Sequence, residues 1–182
     1  MCTPTSTFPK KSWRDSISDE NIILGIDPGV TVTGYGVVCR GRDISVRALG
    51  EIKPAQKDAF SEKLAHIYLE IERIITDVRP DAVAVEGLFY AKNVKSAISL
   101  GHARGVLLLA SARSNIPVYE YAPREVKAAA TGYGAAGKDQ VGEMVRRFFS
   151  LDCDIGDHAC DALAVAMCHM HSMGPLSMKK NV

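Results

Sequence analysis

A chain of 182 residues suits one domain with a sizeable core, and 47% apolar with 24% charged residues is an ordinary globular mixture. No apolar run approaches the roughly 20 residues of a membrane span, and the start lacks the apolar stretch of a secretory signal, so a cytoplasmic location is expected. A net charge of +1 announces no nucleic-acid partner, and five cysteines without a C-x-x-C pair argue against a disulfide framework.

Residues 1–20, rich in Thr, Ser, Pro and Lys, read as a mobile tail. Ile22–Asp27 is a short apolar run ending at Pro28-Gly29, which predicts a buried strand and a turn. Gly34–Arg40 and Asp43–Ile52 alternate around Gly41-Arg42, so three antiparallel strands are expected in succession. Leu64, Ile67, Tyr68, Ile71, Ile74, Ile75 and Val78 recur at helical spacing and predict a helix that stops before Pro80. Ala82–Glu86 predicts a second apolar strand. Residues 93–113 predict a helix that is apolar on more than one face and therefore packs against more than the sheet. Pro117–Tyr121 predicts a third buried strand, and helical segments are expected near 123–130, 138–150 and 157–171. Residues 21–173 then make one α/β domain with a mixed sheet, followed by a tail over 174–182.

The charge is unevenly placed. Gly87 to Arg147 holds nine Lys/Arg against four Asp/Glu, whereas Phe148 to Ala166 holds four Asp and no Lys or Arg. A basic stretch beside an acidic cluster is what a metal-dependent nuclease needs, because cations hold phosphates and carboxylates hold the metal. Uneven surface charge on an ordinary domain is the plain alternative.

Single acids close two of the apolar strands. Asp27 ends the first, where α/β sheets commonly place ligands, although an Asp before Pro28-Gly29 also suits a turn. Glu86 ends Ala82-Val83-Ala84-Val85, an unfavourable place for Glu unless it has a task; a solvated strand end is the alternative. If the two strands are neighbours, their carboxylates converge. Asp157, His158 and Asp161 open the last helix, where residues three or four apart share a face. Asp157 suits an N-cap, while Asp161 lies a turn inside an otherwise apolar helix. Phosphodiester hydrolysis needs an activated water and a stabilised leaving oxygen, which two divalent cations roughly 4 Å apart supply. Oxygen-rich ligands select Mg²⁺ or Mn²⁺, and one imidazole either joins them or moves protons.

Two motifs are decoys. Gly132-Tyr133-Gly134-Ala135-Ala136-Gly137-Lys138 is nearly a P-loop, but Asp139 stands where Ser or Thr should bind Mg²⁺, and the preceding segment looks helical. A loop that delivers Lys138 to DNA is expected instead. Cys153, His158, Cys160, Cys168, His169 and His171 match no usual zinc spacing.

At this point the residues resemble a known family. Ile23-Leu24-Gly25-Ile26-Asp27-Pro28-Gly29 with Thr33-Gly34-Tyr35-Gly36 resembles the first motif of RuvC Holliday-junction resolvases, and Val85-Glu86-Gly87-Leu88-Phe89-Tyr90-Ala91-Lys92-Asn93 the second. Gly101-His102-Ala103-Arg104-Gly105 and Asp157-His158-Ala159-Cys160-Asp161 match the later ones, in order, from about residue 22 to 171. The resemblance implies a ribonuclease H-like fold, a five-stranded mixed sheet flanked by helices. It implies a homodimeric endonuclease of recombination and repair that nicks two strands of like polarity in four-way junction DNA. Asp27, Glu86, His158 and Asp161 carry over as the metal-binding catalytic set, with adjacent Asp157 the alternative at the third position. Phe89 matches an aromatic near the junction centre, suited to stacking on an unpaired base, with a core aromatic the alternative. Lys127 and Lys138 match basic positions near the scissile DNA, and Lys92, Lys95, Arg104 and Arg124 are further phosphate-contact candidates, with a solvated surface charge the plain alternative for each of these four. The family's helix over 93–113 forms the dimer interface, and its members act with a branch-migration helicase complex of the RuvA and RuvB type. An actin- or Hsp70-like ATPase would need two subdomains, for which 182 residues are too few. A DNA-binding module with a degraded site is the other rival.

Overall fold

The structure is a computed structural model that describes residues 20–87, 94–151 and 155–174. Strand β1 (Asn21–Asp27) is central in a five-stranded sheet and contributes to a core on each side. Ile22, Leu24 and Ile26 enter one core, and Ile23 enters the other, as the period of two requires. Strands β2 (Thr33–Arg40) and β3 (Ile44–Ile52) continue antiparallel, as expected from the alternation. Helix α1 (Phe60–Val78) crosses over to β4 (Ala82–Glu86), which pairs parallel with β1. Helix α2 (Val94–Arg113) leads to β5 (Val118–Tyr121), parallel to β4. Helices α3 (Pro123–Thr131), α4 (Lys138–Phe148) and α5 (Asp157–Ser172) follow, and the sheet order is β3-β2-β1-β4-β5.

One face is covered by α1, whose Ile67, Ile71, Ile74, Ile75 and Val78 are all buried. Burying each such side chain contributes roughly 1.5–3 kcal/mol. The helix ends at Arg79, which takes the left-handed conformation (φ 46°) ahead of Pro80. The other face is covered by α5, with Leu163, Ala164, Val165, Ala166 and Met167 in the core beside residues of α3 and α4. Helix α5 rides directly on the sheet backbone. A Cβ at Gly34 would overlap the His158 carbonyl, so glycine there admits the first turn of α5 against β2.

One expectation changes. Strand β5 is not a buried strand: Tyr119 and Glu120 are exposed because β5 is the sheet edge. The glycine-rich segment follows a helix, as expected, and joins it to the next, with Gly132 capping α3 in the left-handed conformation and Gly137 preceding α4. Helix α2 is apolar on more than one side, as expected: it packs on α1 through residues including Leu107 and Ala110, and leaves Val94, Ile98 and Leu109 exposed.

Candidate active site

Strand register builds the floor of the site. Asp27 pairs with Gly34 of β2, and Gly34 pairs with Glu51 of β3. Ile26 pairs with Val85, so Asp27 and Glu86 close their parallel strands side by side. The turn after Asp27 is held by Thr33, whose Oγ1 donates to the Gly29 carbonyl at 2.6 Å.

Helix α5 supplies the rest. His158 Nδ1 lies 2.7 Å from Asp27 Oδ2, and Asp161 follows on the same helix face. One ligand atom from each of Asp27, His158 and Asp161 lies within 4.8 Å of the others. This is the one such cluster among the described residues. Asp157, the alternative third residue, points elsewhere: its side chain is 72% exposed and 3.4 Å from Lys138 Nζ. Nor is Asp157 the N-cap of α5; that position is Gly156, which has no side chain to offer. Lys138 Nζ also lies 3.2 Å from Asp161 Oδ2. Glu86 stands outside the three-residue cluster and lines an adjoining open recess of about 270 Å³ with Lys127, Lys138 and Asp161.

Burial and mutual repulsion of the acids dominate the electrostatics. Burial pushes the Asp27 carboxyl above its ordinary value; the His158 hydrogen bond offsets part of this, and Asp161 repulsion adds to it. Burial likewise raises Glu86, reinforced by Asp27 and Asp161. For Lys138, burial would lower the ammonium, but Asp161 and Asp157 outweigh it and hold it above its ordinary value. A divalent cation would relieve the mutual repulsion of Asp27, Glu86 and Asp161, so the donor set fits a hard cation.

The remaining expected DNA contacts divide. Lys127 and Lys138 face the recess, while Arg124 and Lys95 are exposed elsewhere on the surface. Phe89 and Lys92 lie outside the described residues. Arg104 departs from its expectation as a surface phosphate contact. Its side chain is 10% exposed, and its guanidinium donates to the Glu86 carbonyl at 3.0 Å and pairs with Glu120. It secures the end of β4, a role hidden because nothing local marks Arg104 as buried. Glu51 was missed altogether: burial opposes its charge, yet Lys53 and the His158 backbone N–H hold its carboxyl below the ordinary value. The strand-like alternation of β3 could have flagged an acid at its end.

A mixed sheet with carboxylates closing two parallel central strands, met by a His/Asp helix, defines a metal-dependent nuclease of the ribonuclease H-like class. A family model described as crossover junction endodeoxyribonuclease RuvC matches residues 23–169. The chain belongs to the RuvC family of crossover junction endodeoxyribonucleases. The crossover junction endodeoxyribonuclease RuvC of Ruminiclostridium cellulolyticum is 46% identical over 159 residues, covering 85% of this chain and 96% of that protein. That of Photorhabdus laumondii is 49% identical over 151 residues, covering 82% and 87%. Among solved structures, T. thermophilus RuvC in complex with a Holliday junction substrate superposes with a TM-score of 0.79 at 33% identity, covering 84% of this chain and 94% of that one. The yeast mitochondrial resolvase Ydc2 shares the fold, with a TM-score of 0.62 at 11% identity and 82% and 78% coverage.

Proposed function

We propose that the domain over residues 21–173 resolves four-way DNA junctions as a homodimer, nicking two strands of like polarity at paired Asp27–Glu86–His158–Asp161 sites. The observation that carries this reading is the Asp27–His158–Asp161 cluster, set beside Glu86 and flanked by Lys127 and Lys138. These four side chains would hold Mg²⁺, two ions per site, with Mn²⁺ a substitute. Bound ions supply an activated water and a stabilised leaving oxygen. The chain's own residues do the remainder. Asp27 orients the His158 ring through Nδ1, which leaves Nε2 for an ion or a proton. Lys138, held between Asp157 and Asp161, and Lys127 supply positive charge to the phosphate backbone.

The homodimer is supported by the uncovered apolar side of α2, where Ile98, Gly101, His102, Gly105 and Leu109 form a shallow groove with Leu64 of α1. Two sites at fixed separation on a symmetric dimer suit a pseudo-symmetric junction. Phe89 stacking on an unpaired base, phosphate contacts by Lys92 and Arg124, and a branch-migration helicase partner of the RuvA and RuvB type rest on family kinship. So does a cytoplasmic location. Among the described residues no helix is long and apolar enough to cross a membrane.

The test is cutting of a mobile synthetic four-way junction against linear duplex of the same sequence, with and without Mg²⁺. Junction-selective, Mg²⁺-dependent paired nicks are expected. Equal cutting of linear duplex, or cutting in excess chelator, would overturn the reading.

A further inference from the structure

We infer that Glu51 is a positioning residue that docks the first turn of α5 on the sheet, and so sets where His158 and Asp161 stand relative to Asp27. The inference rests on the reading of Asp27, His158 and Asp161 as metal ligands.

Three features converge on it. The row Asp27–Gly34–Glu51 crosses β1, β2 and β3 at one level, with no side chain at its middle position. The first turn of α5 settles over that gap, its His158 carbonyl against Gly34. It is then gripped from both ends of the row: the His158 ring bonds Asp27 at 2.7 Å, and the His158 backbone N–H donates to Glu51 Oε1 at 3.2 Å.

The N-terminus of α5 has no cap of its own. Gly156 at the N-cap offers no side-chain oxygen, and a helix start leaves backbone N–H groups without partners. Glu51 fills that role from a strand 107 residues away in sequence. Its second oxygen is held by Lys53 Nζ at 2.6 Å, so the carboxylate is braced from the far side. Its side chain is only 14% exposed. Gly156 is what admits it, because a Cβ there would overlap both Glu51 carboxylate oxygens. The φ of Gly156 is −57°, so the backbone itself does not require glycine; the approach of the carboxylate does. A carboxylate at this end also complements the helix dipole. Groups that orient metal-binding side chains typically change metal affinity by 10- to 100-fold when removed.

The experiment is calorimetric titration of Mn²⁺ into the full chain and its variants, without DNA, with thermal unfolding run in parallel. Glu51→Ala is expected to weaken Mn²⁺ binding on the order of tenfold. Glu51→Gln keeps an oxygen for the His158 N–H and should restore affinity to within about threefold. Gly156→Ala displaces the carboxylate and should match Glu51→Ala. The double variant should be no weaker than either single one, since both break the same contact. Should Glu51→Ala fail to fold, Glu51→Gln and Gly156→Ala carry the comparison. Mn²⁺ affinity unchanged in the folded variants, even with lowered thermal stability, would overturn the inference, as would losses that multiply in the double variant. Asp27→Asn separates the two layers. Wild-type binding that does not depend on Asp27 would bring down the metal-site reading and this inference with it, whereas Asp27-dependent binding indifferent to Glu51 and Gly156 overturns this inference alone.

Discussion

Asp27 and His158 are 131 residues apart in sequence and 2.7 Å apart in space, Oδ2 to Nδ1. An ionised carboxylate only accepts, so Nδ1 is the donor toward it. The contact ties the end of β1 to the first turn of α5 and brings Asp161 alongside.

Asp27 is the centre of this arrangement, touching His158 and repelled by Asp161. Asp27→Asn should lower junction cutting on the order of a thousandfold, the loss of several kcal/mol of transition-state stabilisation. Junction binding should persist, because phosphate contacts carry affinity. Single-turnover cleavage beside a gel-shift titration measures both, and cutting at the wild-type rate would remove Asp27 from the chemistry.

Glu86 and Asp27 both titrate above their ordinary values, so the folded protein holds their protons more tightly than the unfolded chain does. Without metal, that contribution to stability is full below the ordinary carboxyl range, near 4.5 for Glu, and is lost as pH rises through the raised folded values. Glu86→Gln removes one repelled charge. In metal-free buffer at pH 7.5 it should be more stable than wild type by about 1 kcal/mol, a gain that fades as pH falls toward 4. Added Mg²⁺ should reverse the order, because it stabilises only a chain able to bind it. Urea unfolding across pH reads this out; a Glu86→Gln gain that grows toward acid would contradict the sign.

Arg104 donates to the Glu86 carbonyl and pairs with Glu120 from a largely buried position. Arg104→Leu should cost about 2 kcal/mol in chemical denaturation, typical of a lost hydrogen bond from a charged group. Cutting should fall with it, since β4 would lose what secures its end. Unchanged stability combined with weaker junction binding would return Arg104 to the surface role expected from sequence.

Val94, Ile98 and Leu109 leave α2 with exposed apolar side chains at 74%, 57% and 54%. Clustered exposure of this kind marks an interaction surface. Leu109→Glu should convert a dimer to a monomer in sedimentation at micromolar concentration. Paired nicking of junctions should fall at least about tenfold, as a charge inside an apolar interface costs several kcal/mol. A Leu109→Glu protein that remains dimeric would place the interface elsewhere.

The parts legible in advance were those in which local pattern carries the structure. The alternation of Gly34–Arg40 foretold β2, and the run of Ile and Val from Ile67 to Val78 foretold the buried face of α1. The acids ending β1 and β4 and the spacing of His158 and Asp161 stood out because each breaks an apolar pattern. Strand β5 misled, because a short strand-forming segment looks much the same at a sheet edge as at its centre. Arg104 misled because burial of a cation depends on partners such as Glu120 that come from another element. Glu51 escaped because its partner is a backbone N–H with no sequence signature.

The sequence by itself determined the elements and the residue types that chemistry could use, since periodicity and strand-end acids follow from neighbours along the chain. Only the tertiary structure decided which of those side chains meet. Pairing β1 with β4 sets Asp27 beside Glu86, and laying α5 over Gly34 turns His158, rather than Asp157, toward Asp27. Strand register and helix docking depend on contacts a hundred or more residues apart, and no local pattern encodes them.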